Sequence, residues 1–301
     1  MRIVSLLPSA TEIVAELGLL DDLVGVSHCC DYPAGARDLP VVTASVVDKD
    51  ASSHQIDTTV REHLSDNASL YSLDADLLEY LKPDLVITQA LCDVCAVSGE
   101  EVGKVLGDLT SVPQMVNLEP FCLVDVLETM QVVGEMTART EIATTRIANL
   151  RARIAAVERR TRVQVTRPRP MVLADWIDPP FISGHWIKDL ISLAGGVSTI
   201  DIAGVPSRTT SWEEIGRSMP EVIVVACCGF SAERAREDLI HCDAGKALDD
   251  LKASIGAEVH VLDGDALFSR PGPRLVESLE LLAHVLHPDI HPAHDWFDLY
   301  Q

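Results

Sequence analysis

Cys92 and Cys95 stand two residues apart, the spacing of thiolate metal sites and of dithiol redox motifs. No second pair of this kind occurs, but His28, Cys30 and Cys228 each follow another short apolar run. Thiolate and imidazole are the donors that zinc or an iron–sulfur cluster requires. Free cysteine is equally a good small core residue. Three uses therefore fit Cys92, Cys95, Cys228, His28 and Cys30: pocket lining or packing, ligation of a metal or metallocofactor, and redox chemistry. Cys122 and Cys242 fall in helical patterns and read as structural. His284, His287, His291 and His294 would align on a helix, but Pro288 and Pro292 break it, so no metal site is expected in the tail.

Aromatic residues form a second group. Trp176, Phe181 and Trp186 lie close together among proline and glycine, with Asp178 and His185 between them. That composition reads as a pocket wall rather than a helix stripe. Phe230 follows Cys228-Gly229, and Phe268 opens Phe-Ser-Arg-Pro-Gly-Pro-Arg, residues 268–274. Arg270 and Arg274 fit either surface charge beside a helix cap or an anion contact at a helix start. Pro8-Ser9-Ala10-Thr11-Glu12 is a capping element whose N–H groups also suit a polar ligand. Tyr32 and Gln89 follow further apolar runs. No Ser-His-Asp arrangement or phosphate loop is visible, so the balance favours a binder over an enzyme.

These residues need strands to hold them. Strands are expected at 3–7, 23–27, 84–88, 112–116, 171–174, 222–226 and 258–262, because the runs are short, apolar and bounded by turn residues. Helices are expected from Ser9 or Thr11, as cap, to Gly18, and at 74–81, 186–194 and 273–286. Residues 123–162 are helical with a break near 134–140; Ile142, Ile147, Leu150, Ile154 and Val157 mark one face, and the second part runs ~30 Å. Lys-Pro-Asp-Leu-Val-Ile at 82–87 is echoed by Met-Pro-Glu-Val-Ile-Val at 219–224. The expected architecture is α/β: a lobe at 1–120, a helical spine and linker at 121–166, and a second lobe at 167–301. In open α/β sheets ligands bind beyond the carboxyl ends of the strands. Every residue singled out above except the helical cysteines and the tail histidines falls there. A small ligand in a cleft between the lobes is the expectation.

Composition sets limits. The chain has 301 residues, enough for two domains. Hydrophobic residues make up 47% but aromatics only 4%, so the cores must be Val, Leu, Ile and Ala. A formal charge of -22 repels a phosphate backbone and argues against nucleic acid as partner. No apolar run reaches the ~20 residues of a membrane span, so no membrane insertion is expected. No secretory signal pattern opens the chain, and the eight cysteines do not form a disulfide framework. A cytosolic location is expected, with a periplasmic or extracellular mature form, its signal removed, as the alternative.

The opening Arg2-Ile-Val-Ser-Leu-Leu-Pro-Ser-Ala-Thr-Glu12 resembles the cobalamin-binding proteins of ABC importers, within the wider group of iron-siderophore and haem binders. The likeness extends to residues 82–87, the spine, Ala194-Gly195-Gly196, Trp212-Glu213-Glu214-Ile215 and residues 220–224. It implies two Rossmann-like lobes joined by a long helix, in the manner of class III periplasmic binding proteins. It also implies a corrinoid or iron chelate held by aromatic and polar loop residues, and an importer permease as partner if the chain is exported. Ser27-His28, Cys30-Asp31-Tyr32-Pro33, Gln89 through Cys95, Asp178 through Trp186, Cys228-Gly229-Phe230 and residues 268–274 resemble a signal-less, cysteine-containing subgroup. For such a cargo, His28 or a cysteine is the expected axial ligand to its metal.

Overall fold

Ile3, Val4 and Ser5 are wholly buried, and this short strand is an inner strand of a parallel sheet. The computed structural model describes residues 1–66, 68–89, 99–200 and 206–300. The chain divides into two units. The first comprises Met1–Ala51, Gln55–Pro120 and Val124–Ile147; the second comprises Ser52–His54, Phe121–Leu123 and Ala148–Gln301.

In chain order the first half runs β1 (Ile3–Ser5), α1 (Pro8–Glu16), β2 (Leu23–Val26), β3 (Thr43–Ser45), α2 (Ser53–Ser65), β4 (Tyr71–Leu73), α3 (Ala75–Leu81), β5 (Leu85–Thr88), α4 (Gly99–Gly107), β6 (Gln114–Asn117), α5 (Leu123–Met136) and α6 (Thr140–Gln164). Strands β2, β1, β5 and β6 form the parallel sheet in that order. One of its faces rests on Val4, Leu6, Val42, Leu78, Leu81, Val86, Val102 and Leu106. Strand β1 ends at Ser5, short of the expected residue 7, because Pro8 opens α1 with its φ already helical. Leu7 is the N-cap and gives no side-chain bond. Ser9 and Thr11, expected as caps, lie inside the helix.

The expected break in the long helical region falls between α5 and α6. Ala138 turns to φ +55° there. Gly134 permits the close return, since a Cβ on it would stand 2.5 Å from that of Ala143. Helix α6 has 25 residues and spans about 37 Å. Ala143, Ile147, Leu150 and Val157 are its buried side. Ile142, expected on that face, is 37% exposed.

The second half continues β7 (Arg169–Ile177), β8 (Pro180–Ile182), α7 (Ile187–Leu193), β9 (Gly196–Ser198), β10 (Arg208–Thr209), α8 (Trp212–Arg217), β11 (Val222–Val225), α9 (Ala232–His241), α10 (Asp243–Ile255), β12 (Glu258–Val261), a π turn at Gly264–Phe268, and α11 (Leu275–Leu286). Strands β7, β11 and β12 are parallel neighbours. Strand β8 pairs antiparallel with the last part of β7, and β9 pairs parallel with its first residues. Strand β7 therefore runs past the expected residue 174 to Ile177, because β8 offers it a partner. Two helix assignments also change. Cys122 precedes α5, and Cys242 is the joint between α9 and α10.

The tail histidines serve as struts. His287 Nε2 lies 2.9 Å from Gly195 O, His284 Nδ1 2.8 Å from His291 O, and His291 Nε2 3.1 Å from Thr161 Oγ1. Burial, then Arg160 and the two neighbouring histidines, depress the His291 pKa from 6.5 to about 4. The folded chain thus keeps this ring neutral where the unfolded chain takes up a proton. Stability from neutral His291 is complete above pH 6.5 and declines as pH falls towards 4. Urea melts at pH 7 and pH 5 should show a larger loss for the native chain than for His291→Gln. Equal losses would show that His291 is not the source.

Candidate functional site

Each unit carries its unusual side chains just beyond the carboxyl ends of its parallel strands. In the first unit the loops after β1 and β2 meet around a buried thiol. Cys30 Sγ lies 3.1 Å from Thr11 Oγ1 and 3.1 Å from Ser27 Oγ. Thr11 donates to Ser5 Oγ at 2.8 Å, and Ser5 donates to Leu7 O at 2.9 Å. This hydroxyl chain ties β1, α1 and the loop after β2 together. Pro8 is half-buried and Ser9 buried at the start of α1. His28 is held by Thr43 Oγ1, which takes its backbone N–H at 2.9 Å and lies 2.7 Å from Nδ1. Its ring stacks on Tyr71 at 5.5 Å. Burial pulls the His28 pKa below 6.5, so the imidazole is neutral at pH 7. Gln89 is buried just beyond β5, while Tyr32 is 47% exposed. Cys92 and Cys95 lie outside the described residues.

In the second unit the aromatic residues come together. Trp176 and Phe181 are cross-strand partners on β7 and β8. Trp176 meets Phe230 edge-on at 5.1 Å and donates its indole N–H to Ser53 O at 3.2 Å. The Arg234 guanidinium caps the Phe230 ring at 3.6 Å. Asp178 lies 3.5 Å from His54 Nδ1. His185 takes φ +51° and stacks against Trp186 at 5.5 Å, with Phe121 at 6.0 Å. Trp186 is buried and donates to Phe268 O at 2.9 Å. Arg270 is buried too, paired with Asp265 at 2.7 Å, so it is not the surface charge that one reading offered.

Cys227 and Cys228 follow β11. Cys227 is buried, and burial with the charges of Asp175 and Asp238 drives its pKa well up, so it is an inert thiol. Cys228 is exposed; its N–H donates to Asp175 O at 2.9 Å. This strand end is clamped by Gly264, whose N–H donates to Phe230 O at 3.1 Å. A Cβ at Gly264 would stand 2.1 Å from Cys227 O. Only glycine lets the two backbones approach so closely. Among the described residues, no three His, Cys, Asp or Glu side chains are grouped to hold a metal ion. His28, Cys30 and Cys228 thus form no such group there. Asp175, Ser207, Thr43 and Phe121 join the site without having been singled out. Only Asp175 carried a usable signal, as an acid ending an apolar strand.

The profile of the family described as Periplasmic binding protein matches residues 3–253. The chain belongs to that family. The vitamin B12-binding protein of Vibrio cholerae is 27% identical over 285 residues, covering 93% of this chain and 86% of that protein. The crystal structure of the periplasmic vitamin B12 binding protein of Vibrio cholerae aligns with TM-score 0.68 at 23% identity, covering 95% of this chain and 96% of that one. A periplasmic haem binding protein from Pseudomonas aeruginosa aligns with TM-score 0.72 at 18% identity, covering 97% and 95%. The α/β fold with parallel sheets, expected as class III periplasmic-binding-protein-like, is the one observed.

One expectation is corrected by these findings. Members of the periplasmic binding protein family stand against the cytosolic location inferred from cysteine usage. The inference failed because a buried thiol such as Cys227 reports packing rather than redox compartment. The relatives carry vitamin B12 or haem in their names, and nothing in them supports zinc or an iron–sulfur cluster.

Gly264 gives the site its sharpest steric test. Gly264→Ala must push the π turn away from β11, at a cost of about 1–3 kcal/mol. The urea midpoint should fall accordingly. An unchanged midpoint would show that the approach is looser than described.

Proposed function

We propose that this protein binds a corrinoid and hands it to the permease of an ABC importer. The observation that carries the reading is the likeness to vitamin B12-binding proteins over 93% of the chain. The donor set fits such a cargo. A corrinoid offers an apolar ring face and a fringe of amides. Trp176, Phe181 and His185 supply partly exposed ring surface at the strand ends of the second unit. Asp178 supplies a polar group for the fringe beside them. Gln89, Ser9 and His28 offer the same kinds of group at the strand ends of the first unit. His28 keeps Nε2 clear of its bond to Thr43, so a neutral imidazole nitrogen is available to a ligand's metal. The acidic surface disfavours cargo with a carboxylate fringe, such as haem, relative to a neutral amide fringe.

Titration of the purified protein with cyanocobalamin and, separately, with haemin distinguishes the two tetrapyrrole cargoes. Saturable binding of cyanocobalamin, tighter than that of haemin, is expected by calorimetry. Tighter haemin binding would replace the corrinoid reading, and binding of neither would remove it.

A further inference from the structure

Asp175 ends the apolar run of β7, beside Trp176; two hydrogen bonds converge on it, and a third extends one of them to Gly184. Its backbone O accepts from Cys228 N–H at 2.9 Å. Its carboxylate Oδ2 accepts from Ser207 Oγ, and Ser207 Oγ accepts in turn from Gly184 N–H at 3.3 Å. Gly184 is the residue before His185, which sits at φ +51° against Trp186. A left-handed conformation costs a histidine energy unless its surroundings hold it. The chain from Gly184 N–H through Ser207 to Asp175 is such a hold.

The rest of this environment is not built for stability. Ser183 also lies beside the Asp175 carboxylate and favours its ionised form, while His185 Nε2 is buried with no hydrogen-bond partner. Folded proteins rarely leave such an atom buried without a partner, and functional sites are a common exception. Ser183 and Gly184 follow β8, whose Ile182 pairs with Ala174 of β7, so these atoms belong to one locality.

We propose that Asp175 is a positioning residue of the ligand site, holding through Ser207 the turn that presents His185, which is packed against Trp186. This rests on the reading that the strand-end rim of the second unit meets the cargo. Asp175 is kept there at a cost to the fold. Burial raises its pKa from 3.8 to about 6, opposed by Ser207, its own backbone amide and Ser183. A carboxyl with a raised folded pKa favours the native state only when protonated. Its ionisation therefore lowers stability as pH rises from 3.8 through 6, and the full cost is present at pH 7. The titratable groups that share the Cys227 environment with Asp175 are Asp238 of α9, Cys228 and Cys242, and His185 lies on the presented turn.

The test measures stability and affinity together in Asp175→Asn, a neutral isostere. Its melting temperature should exceed that of the native chain at pH 7.5, and the gap should narrow towards pH 4. Its affinity for cyanocobalamin at pH 7.5 should fall ~10-fold or more, the worth of a hydrogen bond to a charged group. Ser207→Ala should weaken binding similarly. The native chain should lose affinity between pH 7.5 and 5, His185→Asn should keep that step, and Asp175→Asn should lack it. An Asp175→Asn protein that melts at or below the native chain at pH 7.5, or fails to fold, overturns the proposal in favour of a structural role. So does native affinity with the pH step intact. A native chain that binds neither cyanocobalamin nor haemin overturns the cargo reading first and this inference with it.

Discussion

Strand β7 is held along both edges, and the second unit is organised by that fact. Residues Met171–Ala174 pair with β11 on one edge. The other edge is shared, by β9 at the start of the strand and β8 at its end. Parallel pairing requires a crossover for each strand, so the loops after β7 and β11 emerge on one side of the sheet. The antiparallel return through β8 then folds Phe181 back on Trp176. Without β8 the strand would stop at Ala174, and neither Asp175 nor Trp176 would have a fixed direction. The aromatic wall thus follows from backbone pairing rather than from attraction among the rings.

The two units solve the same problem with different chemistry. In the first, hydroxyls and a thiol close the loops: Ser5, Thr11, Ser27 and Cys30 satisfy one another. In the second, a carboxylate does so: Asp175 accepts from Ser207, and His185 Nε2 beside it is left without a partner. A satisfied network rigidifies, whereas an unsatisfied one marks a place where the fold has yielded to something else. The buried Arg270–Asp265 pair and the Gly264 clamp show that the surrounding backbone is well supported.

Much of the fold was legible because it is written in continuous apolar runs. The inner strands β1, β5 and β11, the long helix and its break near Gly134 all carry local signals. Helix α2 carried none, since Ser53 is its only buried residue and no apolar stripe marks it. Strand β7 was read too short because Asp175 and Trp176 look like loop residues until β8 is known to pair with them. Within the candidate site, residue types and their place after strands were legible from single segments. Long-range partners were not: Ser207 stands 32 positions from Asp175, and Thr43 is 15 from His28. Arg270 was weighed as surface charge because Asp265, its partner, is set by the π turn rather than by spacing on a helix. The cysteines misled most, since thiols serve as packing as readily as they serve as ligands.

The central claim is that cargo meets the strand-end rim of the second unit. A crystal structure of the protein grown with cyanocobalamin tests it most directly. The account predicts the corrin against the rings of Trp176, Phe181 and His185, with its amides among the loops after β7, β8 and β11. Corrinoid bound away from these strand ends, with the three rings untouched, would contradict it.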